Sequence, residues 1–109
     1  MKELVGLEDL RGALTHEEGP VVLFKHSTRC SISAEALGEY QSFVRTNPTA
    51  ALYTIVDLLA HWSVSEAIEA ELGVRHESPQ AIVVEKGGVR AVLNHGAIRA
   101  QTLGSLLLP

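Results

Sequence analysis

Apolar residues fall along the chain in short blocks whose spacing alternates between helical and continuous. Leu7, Leu10 and Leu14 recur at i, i+3 and i+7, which predicts a short amphipathic helix over 7–16, weakened by Gly12. Residues 1–5 ahead of it read as a short edge strand, and Glu18-Gly19-Pro20 stops the helix and turns the chain. Val21-Val22-Leu23-Phe24 is a continuous apolar run, the pattern of a strand covered on both faces; Lys25 and His26 close it. Ile32, Ala36, Tyr40 and Phe43 then align at helical spacing, predicting a helix over about 31–45 that Asn47-Pro48 ends. A second buried strand is predicted over 51–56. Ser63-Val64-Ser65-Glu66 has the form of a capping box opening a third helix, which Gly73 would close. Residues 81–84 read as a third strand. Gly87-Gly88 supplies positive φ for a tight hairpin, and Val89, Ala91 and Leu93 continue it as an antiparallel strand. Asn94-His95-Gly96 reads as a turn, and Leu103, Leu106 and Leu107 mark a last helix within 98–107.

The order is (β)αβαβαββα. Strand–helix–strand units imply parallel pairing with right-handed crossovers, and the terminal hairpin adds an antiparallel edge. The expectation is an α/β fold: a mixed sheet of four to five strands, flanked by helices. At 109 residues the chain has core enough for one domain, 1–109. Nine Lys and Arg against thirteen Asp and Glu leave a net charge of −4, too acidic for a nucleic-acid footprint. No apolar run approaches the roughly 18 residues that a membrane span requires. Acidic residues near the N-terminus do not fit a signal peptide, so a cytoplasmic location is expected.

One cysteine changes the picture most. It can form no internal disulfide and no Cys-based structural zinc site, so any covalent chemistry of Cys30 involves a second molecule. Cys30 falls between a buried strand and the first turn of a helix, where unpaired N–H groups and the helix dipole stabilise an anion. Thiolate is the reactive form of cysteine, and Arg29 and Lys25 can add positive potential. Ser33, three residues on, can donate a hydrogen bond to the sulfur. A lone cysteine can equally be an inert small hydrophobe. Here its neighbours Ser27, Thr28, Arg29, Ser31 and Ser33 are polar, which favours the reactive reading. Ser78-Pro79-Gln80 enters the third strand, next to the Cys-bearing segment, and a cis Ser78–Pro79 bond would bring that loop against Cys30.

The element order, the Cys30-x-x-Ser33 pattern at a helix start and the late X-Pro before the hairpin resemble the thioredoxin fold. More narrowly, Lys25-His26-Ser27-Thr28-Arg29-Cys30-Ser31-Ile32-Ser33 and Val74-Arg75-His76-Glu77-Ser78-Pro79-Gln80 resemble the monothiol bacilliredoxin-like proteins of the bacillithiol system. That resemblance implies a redox enzyme that removes bacillithiol from protein mixed disulfides. Cys30 takes the nucleophile role, Ser33 stands where dithiol relatives carry a resolving cysteine, and Pro79 takes the cis-proline role. The family motif is often C-P-I-S; Ser31 here replaces the proline, which suits a first helical turn.

The five histidines show no H-x-x-x-H or H-E-x-x-H spacing, so metal ligation from one helix has no support. His26 ends the strand before Cys30 and can reach the site or its supporting shell. His76 and Glu77 precede the proline loop, where they contact a bound thiol or stand exposed. His95 lies in a turn and is expected to bond locally. Bacillithiol carries an aminosugar and a malate with two carboxylates. Lys25, Arg29 and Arg75 are candidate partners for the malate and Glu77 for the amine, with ordinary surface charge as the bland reading of each. Ser31 and Ser78 complete the candidate substrate contacts.

Two functions of different class follow. In the first, Cys30 is the nucleophile of a thiol–disulfide enzyme with bacillithiol as co-substrate, bacillithiolated proteins as partners and no tightly bound cofactor. In the second, the chain is a monothiol binding module that holds an iron–sulfur cluster with an external thiol. The Ser31-Ile32 pair counts against the second, because monothiol glutaredoxins of that kind carry Gly-Phe there. A colourless monomer is expected.

Overall fold

The computed structural model describes residues 1–109. The chain order is β1 (Lys2–Glu3), α1 (Leu7–Leu14), β2 (Val21–His26), α2 (Ser31–Thr46), β3 (Leu52–Asp57), α3 (Trp62–Leu72), β4 (Gln80–Glu85), β5 (Gly88–Asn94), a 3-10 turn (His95–Ala97) and α4 (Ala100–Leu107). The five strands form one mixed sheet in the order β1-β3-β2-β4-β5. β1 and β2 pair parallel with β3, while β4 pairs antiparallel with β2 and with β5. No helix is long and apolar enough to cross a membrane.

Strand alternation divides the core into two layers. Val21 and Leu23 of β2 face α1 and α3, together with Val56, Ile82, Val84, Leu10, Val64 and Ile68. Val22 and Phe24 face α2 and α4, together with Ala81, Val83, Ala36, Tyr40, Phe43 and Leu103. The second layer is built on aromatics. Phe24 stacks on Tyr40 at 4.7 Å between ring centres, and Tyr53 meets Tyr40 edge-on at 5.9 Å. Tyr40 is fully buried and donates its hydroxyl to the Thr54 carbonyl at 2.8 Å, which locks α2 onto the sheet.

Three local expectations are corrected. The predicted capping box at Ser63 does not form: α3 begins at Trp62, with His61 as its N-cap and no side-chain cap. The Asp57 carboxylate explains the earlier start. It accepts the Leu59 and Ala60 N–H groups at 3.0 and 3.2 Å and turns the chain directly out of β3. The hairpin centre is Lys86-Gly87, with φ of 53° and 78°, so Gly88 is already the first residue of β5. A register shift at Val83/Val84 places Ala91 opposite Val83 and Val89 opposite Val84. This bulge breaks the expected alternation and leaves Val89 exposed.

Tyr40→Phe removes one buried hydrogen bond while keeping the ring stack. It is expected to lower unfolding free energy by about 1 kcal/mol. Urea denaturation of both proteins, with an unchanged m-value, checks this; an unchanged midpoint contradicts the role given to the hydroxyl.

Candidate functional site

β2 delivers its last residue, His26, to the carboxyl end of the sheet, and the chain turns through Ser27–Arg29 into α2. Cys30 is the N-cap of α2, in extended conformation (φ −116°, ψ 122°), and is partly exposed. Its N–H donates to the Ser27 carbonyl at 3.3 Å, and its own carbonyl opens the helix by accepting from Ala34 at 3.0 Å. Cys30 thus stands at the N-terminal end of a sixteen-residue helix, the end at which first-turn N–H groups lack intrahelical partners. Ser31 takes the first helical position without proline, and the helix runs unbroken to Thr46.

Ser33 is fully buried at the third helical position. Its Oγ accepts the Ser27 N–H at 3.0 Å and lies 2.7 Å from His26 Nδ1. These are its only partners. The Ser33 proton must therefore be given to Nδ1, since the other tautomer would leave a buried hydroxyl with no acceptor. His26 is thus a neutral imidazole with its proton on Nε2. Ser33 does not donate to Cys30, contrary to the sequence expectation: its hydroxyl is spent on a clamp that joins the end of β2, the Cys loop and the first turn of α2.

Lys25 and His26 are neighbours in sequence but lie on opposite faces of the sheet. Lys25 is fully buried on the α3 side, where Nζ lies 3.2 Å from His76 Nδ1. Burial lowers its pKa from the usual 10.5, and Glu69 pulls it back upward. Its expected roles as a partner for a ligand carboxylate and as a source of potential at the thiol are withdrawn, because its ammonium is enclosed beyond the sheet from α2. His76 is likewise turned inward. Its Nδ1 meets Lys25 and, at 3.3 Å, Ser65 Oγ; its N–H donates to Glu69 at 2.6 Å; and its ring meets Trp62 edge-on. His76 itself is half-buried, with its ring and backbone engaged in these contacts on the α3 side of the sheet.

The Ser78–Pro79 bond is cis. Lys25 pairs with Gln80, which brings Pro79 level with His26 at the Cys30 end of the sheet. Pro79 is buried, and the Ser78 hydroxyl is enclosed with no partner. Arg29 and Arg75 are exposed, while Glu77 is partly exposed and lies 3.3 Å from His95 Nε2. His95, which the sequence placed only in a turn, belongs to this end of the molecule: its N–H donates to the Pro79 carbonyl at 2.9 Å. The antiparallel hairpin register, Gln80 opposite Asn94, is the signal that would have found it.

The comparisons agree with this arrangement. A protein described as having a thioredoxin fold and assigned as an oxidoreductase superposes with a TM-score of 0.87 at 24% identity, over 96% of this chain and 91% of its own. Thioredoxin from Fasciola hepatica gives 0.78 at 12% identity, covering 97% and 96%. Thioredoxin from Plasmodium falciparum gives 0.76 at 16%, covering 98% and 96%. These place the chain in the thioredoxin fold. Residues 2–103 match the model of the family described as monothiol bacilliredoxin BrxC, and the chain belongs to that family. Family and fold together support a thiol oxidoreductase role.

Burial lowers the pKa of both His26 and His76 from 6.5; Asp57 opposes this at His26, while Lys25 adds to it at His76, against Glu69 and Glu77. The unfolded chain therefore binds these protons first as pH falls. Stability present above pH 6.5 is lost as pH drops through the folded values. The urea midpoint is expected to fall between about pH 7 and about pH 5. His26→Asn, whose amide oxygen can accept the Ser33 hydroxyl without titrating, is expected to flatten part of that fall. A pH profile identical to wild type would contradict the neutral, half-buried His26.

Proposed function

We propose that this protein removes bacillithiol from protein mixed disulfides, with Cys30 as the nucleophile. The observation that carries the reading is a single, partly exposed cysteine at the N-cap of α2, faced at the third helical position by a buried serine rather than a second thiol. The Cys30 thiolate attacks the bacillithiol sulfur of a protein–S–S–bacillithiol disulfide. The S–S bond breaks, the substrate protein leaves as its thiolate, and Cys30 holds bacillithiol in a new mixed disulfide. A second thiol then attacks that adduct, frees Cys30 and leaves with bacillithiol as a disulfide, so no net electrons are left on the enzyme.

Each part of the site serves a step. The N-terminus of α2 stabilises the thiolate as attacker and again as leaving group. The Ser33 clamp ties the Cys loop to the first turn of α2, where Cys30, partly exposed, is the extended N-cap. In this scheme Ser31 and the cis-Pro79 loop flank the approach, and Arg29, exposed beside Cys30, adds positive charge near the thiolate. Ser33 cannot resolve the adduct, because an alcohol is not ionised near neutral pH. Bacillithiol is a co-substrate rather than a resident group, and the protein acts in this scheme as a monomer.

A reporter protein carrying bacillithiol in a mixed disulfide tests the proposal. Wild type is expected to free the reporter thiol, to gain one bacillithiol adduct, and to turn over only when a second thiol is added. Cys30→Ser is expected to lose the reaction entirely. Ser33→Cys is expected to release bacillithiol unaided and to close an internal disulfide. Intact-mass measurement distinguishes adduct from internal disulfide; full activity in Cys30→Ser would overturn the reading.

A further inference from the structure

One groove at the Cys30 end of the sheet plays no part in the thiol exchange itself. It has a volume of about 430 Å³ and runs between the first turns of α2 and the 3-10 turn that leads into α4. Ile32 and Glu35 form one wall; His95, Gly96 and Arg99 form the other, above buried Ile98. Ile32 is two residues from Cys30 and half exposed. His95 ties the far wall to the proline loop through the Pro79 carbonyl and the Glu77 carboxylate. The near end of the groove, at Ile32, is thus two residues along α2 from Cys30, and its far wall is tied to the proline loop.

Its charges are specific. Glu39 spends its carboxylate on the Ala100 N–H, and His95 spends its ring on Glu77. Glu35 and Arg99 make no side-chain hydrogen bond and no ion pair within the chain, so one free anion and one free cation border the same space. Two carboxylates in the lining make it a poor site for a polyanion such as a phosphate. Ile32 and Ile98 with the bare backbone of Gly96 give a smooth surface of the kind a sugar ring covers. The volume suits a ligand of a few hundred daltons. The lining matches a small amphoteric molecule with a ring between an amine and a carboxylate.

We propose that this groove is the recognition subsite for the body of the bacillithiol held on Cys30, with Glu35 taking its cysteinyl amine and Arg99 a malate carboxylate. This rests on the reading of the preceding section and extends it. The cysteinyl amine lies close to the thiol, and Glu35 is on the helix that starts at Cys30. The malate lies at the other end of the molecule, and Arg99 is on the opposite wall. Lys25, buried beyond the sheet, is replaced in this role.

The test compares two mixed disulfides of one reporter protein, one with bacillithiol and one with cysteamine, which has an amine but no carboxylate. Wild type is expected to prefer the bacillithiol form. Arg99→Gln leaves the backbone hydrogen bonds of the α4 start intact and is expected to cut the rate with the bacillithiol form about fivefold, the weight of one charge-assisted contact on an open surface. Its rate with the cysteamine form should stay within about twofold of wild type. Arg11→Gln, on α1 away from the groove, should change neither. If wild type shows no preference, the de-bacillithiolation reading fails, and the subsite with it. If wild type prefers bacillithiol and Arg99→Gln keeps that preference, the subsite alone is overturned. An equal fall on both disulfides also overturns it, since that marks a general disturbance of Cys30.

Discussion

The site depends on one buried hydroxyl. Ser33 Oγ takes the Ser27 N–H and gives its own proton to His26 Nδ1, and these two bonds, beside the Cys30 N–H bond to the Ser27 carbonyl, tie three pieces of backbone together. The end of β2 carries the imidazole, the Cys loop supplies the amide, and the first turn of α2 supplies the serine. With all three tied, Cys30 keeps its place as the helix N-cap, with its sulfur at the positive end of the helix. The serine at the position of a resolving thiol is therefore a structural member of the site as well as a chemical omission from it. In the proposed scheme it leaves an adduct on Cys30 to wait for a second thiol.

The sheet then sorts the remaining polar groups. Because successive residues of β2 face opposite layers, Lys25 falls among α3 side chains and His26 under α2. Lys25, His76 and Ser65 form a polar knot under the Trp62 ring, with Glu69 holding the His76 backbone. Gln80, Lys25's partner across the sheet, bridges to the Arg75 carbonyl and to Asn94. Together these contacts hold the segment before Pro79 and the end of β5 in register, and so set where the proline loop and the 3-10 turn meet each other at the His26 end of the sheet.

Most of the fold was legible in the chain, since its elements are strongly patterned: continuous apolar strands, helical stripes in α2 and α3, and a Gly73 cap at φ 67°. The family and the cis bond were legible through the resemblance. What failed was finer. The Ser63 capping box lost to the Asp57 turn, which acts from the preceding strand. The hairpin centre slipped by one residue, because Lys86 takes a positive φ that glycine was expected to supply. Lys25 was placed at the site by adjacency, although period-2 alternation argued against it. His95 was read only as a turn residue, because its bond to the Pro79 carbonyl comes from hairpin register, which marks no residue locally.

The central claim is that Cys30 accepts bacillithiol and holds it until a second thiol arrives. The most direct measurement is the intact mass of the protein isolated from a bacillithiol-producing cell after oxidative stress, with free thiols blocked at lysis. The account predicts a fraction carrying a single reducible bacillithiol adduct, mapped by peptide analysis to Cys30. A Cys30 found only as free thiol, or bearing another small thiol in its place, would contradict it.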